Sequence, residues 1–540
     1  MANNDTRGLA LANMWVAFGA LIVAALMGLY QVAERSGLFP ALESNELYFG
    51  SVSTHGVLMG FVLTTFFAMG FGYYCASASL NRPIWSKGFA WTGFWVTLIG
   101  TVLAAFPLLT GQASIMYTFY PPQQASPLFY LGATLLVVGS WFWCLEMVMT
   151  MRAWKKENPG KPVPLVMFGN TTGAVLWFVT SLGAASEILF QLLPWSLGLK
   201  ATVDVGLART LFSWTLHAIV YFWLFPAYIA LYTMVPKAAG GRVFSDEMGR
   251  IAFIMLMVFG VPIGFHHLYM DPFQSAGWKF LHMTGTFMVA VPSFFTAFTV
   301  VASLELAGRL RGGKGLFGWI GALPWGNPIV LAGILAMLLL GFGGFGGLIN
   351  ASYAMNSMIH NTQWVTGHFH LIFAGTAVIM YFGAAYYIWP QLTGRPLASV
   401  AMARWQLWSW GIGMVVLTFP WHVLGLDGQP RRISVTPYDT PLVAAWQPIE
   451  LMMILGGGLL FFSGVLLIIN LLRSHGGSAT VPATTDMFAE PPQPLLKLPP
   501  LLNGIGFWFW VLVIYMVVSY GYPIGQFFLL ETHGAFPWSI

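Results

Sequence analysis

Charge is the scarcest commodity in this chain. Asp, Glu, Lys and Arg together make up 8% of its 540 residues, against roughly 25% in an average soluble domain. That shortage excludes a water-soluble globular enzyme, which needs far more polar surface, and disordered or collagen-like chains are excluded as well. Cysteine is nearly absent, with only Cys75 and Cys144. Neither belongs to a C-x-x-C or C-x-x-C-H spacing, so a disulfide framework, a zinc ribbon, a covalent c-type haem attachment and a thiolate-bridged dinuclear copper centre are all excluded. The net charge of +5 comes from cations in short loops. It reads as membrane topology and gives no indication of nucleic-acid binding.

Apolar residues fill the space that charge leaves, at 57% hydrophobic and 16% aromatic. They fall in runs of about 20 or more, long enough to cross a bilayer as helices. The runs predict an all-α, polytopic membrane helix bundle with thirteen spans, forming a single transmembrane domain over 1–540. The spans run at about 12–34, 51–79, 89–110, 127–151, 164–197, 208–235, 250–270, 279–306, 326–349, 364–390, 402–424, 447–472 and 502–528. The first run, around Met14–Tyr30, exceeds a signal-peptide core and lacks a cleavage site, so it reads as a retained helix. Thirteen spans put the termini on opposite sides. With the N-terminus inside, only Arg35, Lys200, Arg209, Lys279, Arg431 and Arg432 of the 23 Lys and Arg residues lie outside. This inside bias sets the orientation in a prokaryotic plasma membrane, with the C-terminus outside.

Threaded on that topology, the eleven histidines are not scattered. His55, His217, His266, His267, His282, His360, His368, His370 and His422 all fall near the outer ends of spans that run in opposite directions. His475 lies on the inner side and His533 in the outer tail. Ionisable groups inside a bilayer are costly, and a layer of them marks function. His282, His422 and His533 are single and read as ordinary packing or surface histidines. His368 and His370 are two residues apart on one helix, about 200° around it. They therefore cannot share one metal but can serve two cofactors on opposite faces. Imidazole is a usual axial ligand for haem iron. One haem needs a second histidine from another helix, and His55 is available; the other can keep an open face. Opposite that face lie His217, His266 and His267, three imidazoles with an empty position, which suit copper better than a hard cation. Adjacent His266 and His267 converge only if the chain bends, and Pro262 and Gly264 can supply the bend. Tyr221 follows His217 by four residues and shares its helix face, where a phenol is placed to give up a proton and an electron.

These motifs resemble subunit I of the haem–copper oxygen reductases, specifically the B-type cytochrome c oxidases of bacteria and archaea. The matching stretches are His217-Ala-Ile-Val-Tyr221, Gly264-Phe-His-His267, Trp364-Val-Thr-Gly-His-Phe-His370 and His55-Gly-Val-Leu-Met. The Arg-Gly-Gly-Lys loop at 311–314 and the Trp421 to Arg431-Arg432 region match in order. The resemblance covers nearly the whole chain. It implies two haems and one copper ion: His368 as the axial ligand of the high-spin, oxygen-binding haem, His55 and His370 on the low-spin haem, and His217, His266 and His267 on copper. It also implies that Tyr221 is covalently joined to the ring of His217. Arg431 and Arg432, with His360 nearby, are expected at the haem propionates. Ile219 stands where A-type members carry a glutamate, so their acidic proton route is not expected. Ala218 replaces a frequent proline, which changes local kinking and removes no ligand.

Protons must cross low-dielectric protein, so polar groups must line a route. Tyr221, Tyr228 and Tyr232 form one descending face of the sixth span; Ser293, Thr296 and Thr299 descend along the eighth. By resemblance, this pairing is similar to the single proton channel of B-type relatives. No paired cysteines are present to take up electrons. The resemblance accordingly implies a copper-bearing subunit II, reduced by cytochrome c or another small redox protein, with room for a small accessory membrane subunit. The expected activity is reduction of O2 to water coupled to proton translocation. The rivals are a nitric oxide reductase of the same superfamily, which uses iron in place of copper and usually lacks the linked tyrosine, and a secondary transporter, which would bind no haem.

Overall fold

The computed structural model describes residues 6–530 except 485, 494 and 496; His533 lies outside the described residues. Among the described residues, twelve helices are long and apolar enough to cross a membrane. We number them with the one further segment that runs alongside: α1 Arg7–Arg35, α2 Asn45–Leu80, α3 Lys87–Leu109, α4 Pro127–Glu157, α5 Leu165–Ser196, α6 Val205–Ala239, α7 Asp246–Gly260, α8 Ala276–Leu310, α9 Pro328–Ala351, α10 Gln363–Thr393, α11 Val400–Leu426, α12 Gln447–His475 and α13 Gly506–Leu529. No strand occurs among the described residues, and the one isolated bridge joins Thr362 to Pro430. Side-chain N-caps at Ser86, Asp204, Ser245, Asn327 and Ser399 start helices where the loops end.

The seventh span, read from sequence as 250–270 with a bend at Pro262 and Gly264, breaks at that bend, and α7 is helical for only fifteen residues. Past Gly260 the chain breaks and re-forms as a 3₁₀ turn at Gly264–Leu268 that carries His266 and His267. Pro262 lacks the N–H a continuing helix needs. The segment still traverses the bundle: Gly249 lies against Tyr232, Gly260 against Tyr221 and Gly264 against Ser213. From Tyr232 to Ser213, α6 rises ~28 Å at 1.5 Å per residue, close to the ~30 Å of a hydrocarbon core.

Three helices contain a π-helical stretch: Leu58–Leu63 in α2, Ile188–Leu192 in α5 and Phe373–Val378 in α10. A wider turn displaces carbonyls from the regular ladder, and in each case a side chain meets one of them. Trp223 Nε1 donates to Gly60 O at 2.8 Å, Trp410 Nε1 to Ala374 O at 2.7 Å and Lys200 Nζ to Phe190 O at 2.7 Å. The first and third stretches begin three residues after His55 and His370.

Where no site intervenes, small residues let helix backbones touch. A Cβ on Gly100 of α3 would collide with the backbone of α4 at Gly132 and Leu136, the small-residue packing expected between membrane helices. Gly100→Val should therefore cost ~1–3 kcal/mol through overpacking and lower the thermal unfolding midpoint in detergent. Gly88→Ala, at a position with no neighbour within 4 Å, should leave it unchanged.

Candidate functional site

One continuous cavity of about 490 Å³ runs through the outer half of the bundle, and every histidine named as a ligand lines it. Four of these imidazoles, His55, His370, His368 and His266, are held through one ring nitrogen by a backbone carbonyl, which fixes where the other points. His55 Nδ1 lies 2.8 Å from Ala24 O on α1, and His370 Nδ1 lies 2.8 Å from Thr366 O. Their Nε2 atoms are left for a ligand. The two rings stand 6.2 Å apart, centre to centre, with planes 21° apart. Two metal–imidazole bonds of ~2 Å each plus the ring radii fill that distance, so the gap fits one iron. Gly28 makes room for the His55 ring, since a Cβ there would sit 3.1 Å from it.

His368 turns the other way. Its Nδ1 lies 2.8 Å from Gly343 O on α9, and Gly346 and Gly347 of the same helix cradle the ring. Its free edge faces the same cavity as His217, His266 and His267. The ligating atoms of these three lie within 4.8 Å of one another. His267 Nε2 is 3.3 Å from His217 Nδ1, the edge of a tetrahedron with bonds of ~2.0 Å. His266 Nδ1 is tethered to Ile263 O at 2.7 Å and to Thr286 Oγ1 at 3.1 Å, leaving Nε2 for a metal. The 3₁₀ turn is braced from outside: His282 Nδ1 accepts from Phe265 N at 3.2 Å, while its Nε2 reaches Ser519 O at 3.2 Å. His282 is thus a fully satisfied core histidine. His422, likewise read as a packing residue, holds Thr418 O at 2.7 Å.

Tyr221 Oη is 2.6 Å from His217 Nε2. An imidazole that ligates through Nδ1 keeps its proton on Nε2 and donates it to the phenol oxygen. Below Tyr221 the cavity reaches Tyr228 and Ser293. Tyr228 Oη has no hydrogen-bond partner among the described residues. Tyr232 Oη donates to Thr296 Oγ1 at 3.1 Å, and Thr299 Oγ1 lies 3.8 Å from Met248 Sδ. Ser293 and Thr296 also cap carbonyls of their own helix, but the α6 and α8 ladders do meet.

Arg431 and Arg432 line the cavity at its outer end. Arg432 donates to Tyr117 Oη at 3.0 Å and Arg431 to Asn361 Oδ1 at 3.0 Å, yet both Nε atoms are buried without a partner. Burial pushes the Tyr117 phenol up, but Arg432 and Arg431 outweigh it and hold it down to about 8. Burial, then Arg431, Arg209 and Arg432, hold His360 down to about 4. His360 Nδ1 reaches Asn356 Oδ1 at 3.0 Å. A cationic pocket short of anions fits carboxylate-bearing groups. Sequence reasoning missed Tyr117, Thr286, Arg35 and Arg209 as site residues, the last paired to Asp271 at 3.0 Å. The available signal was charge: four of the six outer cations, Arg35, Arg209, Arg431 and Arg432, line the cavity.

A polytopic helical membrane protein with imidazoles converging on one internal cavity defines a class of redox enzyme. The model of the family "Cytochrome C and Quinol oxidase polypeptide I" matches residues 8–459, and the chain belongs to that family. It is 41% identical over 535 residues to cytochrome c oxidase subunit 1 of Thermus thermophilus, covering 95% of this chain and 93% of that one. Subunit 1 from Thermostichus vulcanus is 25% identical over 84% of this chain and 81% of its own. A cryo-EM structure of a haem–copper terminal oxidase dimer superposes with TM-score 0.92 at 33% identity, over 99% of this chain and 94% of that one. The protein is thus a multi-pass membrane enzyme, subunit I of a haem–copper terminal oxidase of the cytochrome c oxidase kind. Haem and copper are its family's cofactors, and the transporter reading falls. Thr286→Val removes one tether of His266 while leaving all three imidazoles; copper affinity should fall roughly 10–100-fold, read as copper retained after dialysis against graded chelator.

Proposed function

We propose that this chain is the catalytic subunit of a B-type enzyme that reduces O2 to water and couples the reaction to proton translocation across a prokaryotic plasma membrane. The observation that carries this reading is the set of imidazole nitrogens around one cavity: an opposed pair at 6.2 Å, a single ring on the opposite face of the same helix, and a triad beyond it. His55 and His370 hold a low-spin haem, His368 a high-spin haem, and His217, His266 and His267 a copper ion. Bound there, these groups supply electron relay and oxygen-reducing redox chemistry. Electrons come from cytochrome c or another small redox protein by way of a copper-bearing subunit II. A small accessory membrane subunit completes the complex.

The chain's own residues set the conditions for that chemistry. Arg431 and Arg432, beside His360, bind the haem propionates and bring their unpartnered Nε–H groups to anions. Tyr221, hydrogen-bonded to His217, presents an O–H proton at the edge of the copper triad. Tyr232 and Thr296, then Tyr228 and Ser293, pass protons from the inner side toward Tyr221, with Thr299 near the start of the route. The hydrophobic wall of the bundle keeps bulk water from short-circuiting this path. A tyrosine against the first triad histidine favours oxygen over nitric oxide as substrate, and Ile219 and Ala218 favour the B-type over the A-type.

The deciding experiment combines metal counting with catalysis on the purified complex. Two haems and one copper per chain at these ligands, with O2 consumption, are expected; non-haem iron in place of that copper would turn the reading to nitric oxide reduction. Tyr221→Phe should keep haem and copper while cutting O2 consumption by ~10²-fold or more, the scale of a lost proton donor.

A further inference from the structure

Two carboxylates near the outer ends of spans, Glu187 and Glu450, have no part in the reading above. Glu450, at the start of α12, is 1% exposed, and Arg35, at the end of α1, is 7% exposed. Arg35 Nη2 donates to Glu450 Oε1 at 3.1 Å. Gln429 Nε2 donates to the same oxygen, while Glu450 Oε2 and Arg35 Nε have no partner among the described residues. The Arg35 guanidinium also meets the Gln363 side-chain oxygen, with that amide's nitrogen 3.2 Å from Thr366 Oγ1. Tyr438 Oη bonds Arg35 O at 2.8 Å.

Arg35, Glu450 and Gln363 line the same cavity as His55 and His370, so this buried pair sits beside one candidate iron. The spacing can be read along α1. The His55 ring lies against Gly28, and Arg35 is seven residues further, ~10 Å along the helix axis. A single uncompensated charge at ~10 Å in an effective dielectric of ~20 changes a one-electron equilibrium by roughly tenfold. Two opposite charges at 3.1 Å largely cancel at that range. The pair is an expensive way to join α1 to α12, because two buried charges are often no more stable than two apolar side chains. Its placement points instead to the field at the iron.

We propose that Glu450 is a positioning residue that neutralises Arg35, and that the pair thereby sets the reduction potential of the low-spin haem held by His55 and His370. The inference rests on that haem assignment. Arg35 alone would favour the reduced haem; Glu450 offsets it and keeps the electron free to move on. Gln429 and Gln363 lock the two groups to the Arg431 loop and to the start of α10, the helix that carries His370.

The test is an anaerobic spectroelectrochemical titration of the purified holo-complex, reading the low-spin haem band. In Glu450→Gln, the ratio of reduced to oxidised low-spin haem at a fixed potential should rise roughly tenfold, ~59 mV for one electron. In the double variant Arg35→Met/Glu450→Gln it should return to within about threefold of wild type, since both charges are then gone. An unchanged potential in Glu450→Gln with low-spin haem intact would overturn the proposal, as would a double variant shifted as far as the single. If Glu450→Gln binds no low-spin haem, the double variant decides: removing both partners leaves no orphaned charge, so recovered haem supports the pairing and continued loss refutes it. A wild-type complex without any bis-imidazole low-spin signal would instead sink the haem assignment beneath it.

Discussion

The structure depends on the tethering of one nitrogen of four ligand imidazoles to fixed backbone acceptors in a medium without water. His55 is held by Ala24 O, His370 by Thr366 O, His368 by Gly343 O and His266 by Ile263 O. Each bond satisfies a polar group that would otherwise be stranded in low dielectric. It also selects a tautomer and aims the second nitrogen into the cavity. Because the tethers come from α1, α9, the α7 break and α10 itself, metal geometry and helix packing are a single problem: a helix cannot shift without moving a ligand.

That coupling accounts for the irregular turns that lie beside the ligands. The π stretches in α2 and α10 begin three residues beyond His55 and His370, and the indoles of Trp223 and Trp410 occupy carbonyls within them. The α7 break brings two consecutive histidines, which an ideal helix would splay by about 100°, within reach of His217. Regular α-helix would be more stable locally but would point the rings elsewhere. At the Gly100–Gly132 approach of α3 and α4, away from the site, the helix backbones are close-packed.

The periodic, length-based features were legible in the sequence. Span positions, the inside bias of cations and the common level of the histidines all follow from hydropathy and chain direction, and the resemblance then supplied roles. Interruptions of regularity were harder to read. Pro262 and Gly264 hinted at a bend, but nothing in Leu58–Leu63 or Phe373–Val378 signals a π turn, and the indoles that meet their carbonyls come from other helices. Side-chain partners across the fold, such as Thr286 with His266 or Tyr117 with Arg432, depend on tertiary contact and leave no local pattern. Arg35 and Arg209 were visible as exceptions to the charge rule. Arg431 and Arg432 were drawn into the site from among those exceptions because they are adjacent, whereas the isolated pair gave no such cue. Glu450 was visible only as a carboxylate near a span end, since its partner lies 415 residues away.

The imidazoles define three metal positions around the cavity. Anomalous diffraction from the purified complex, collected at the iron and copper absorption edges, tests this most directly. The result expected is one iron peak between His55 and His370, a second beside His368, and a copper peak enclosed by His217, His266 and His267. An iron peak inside that triad, or no peak between His55 and His370, would contradict it.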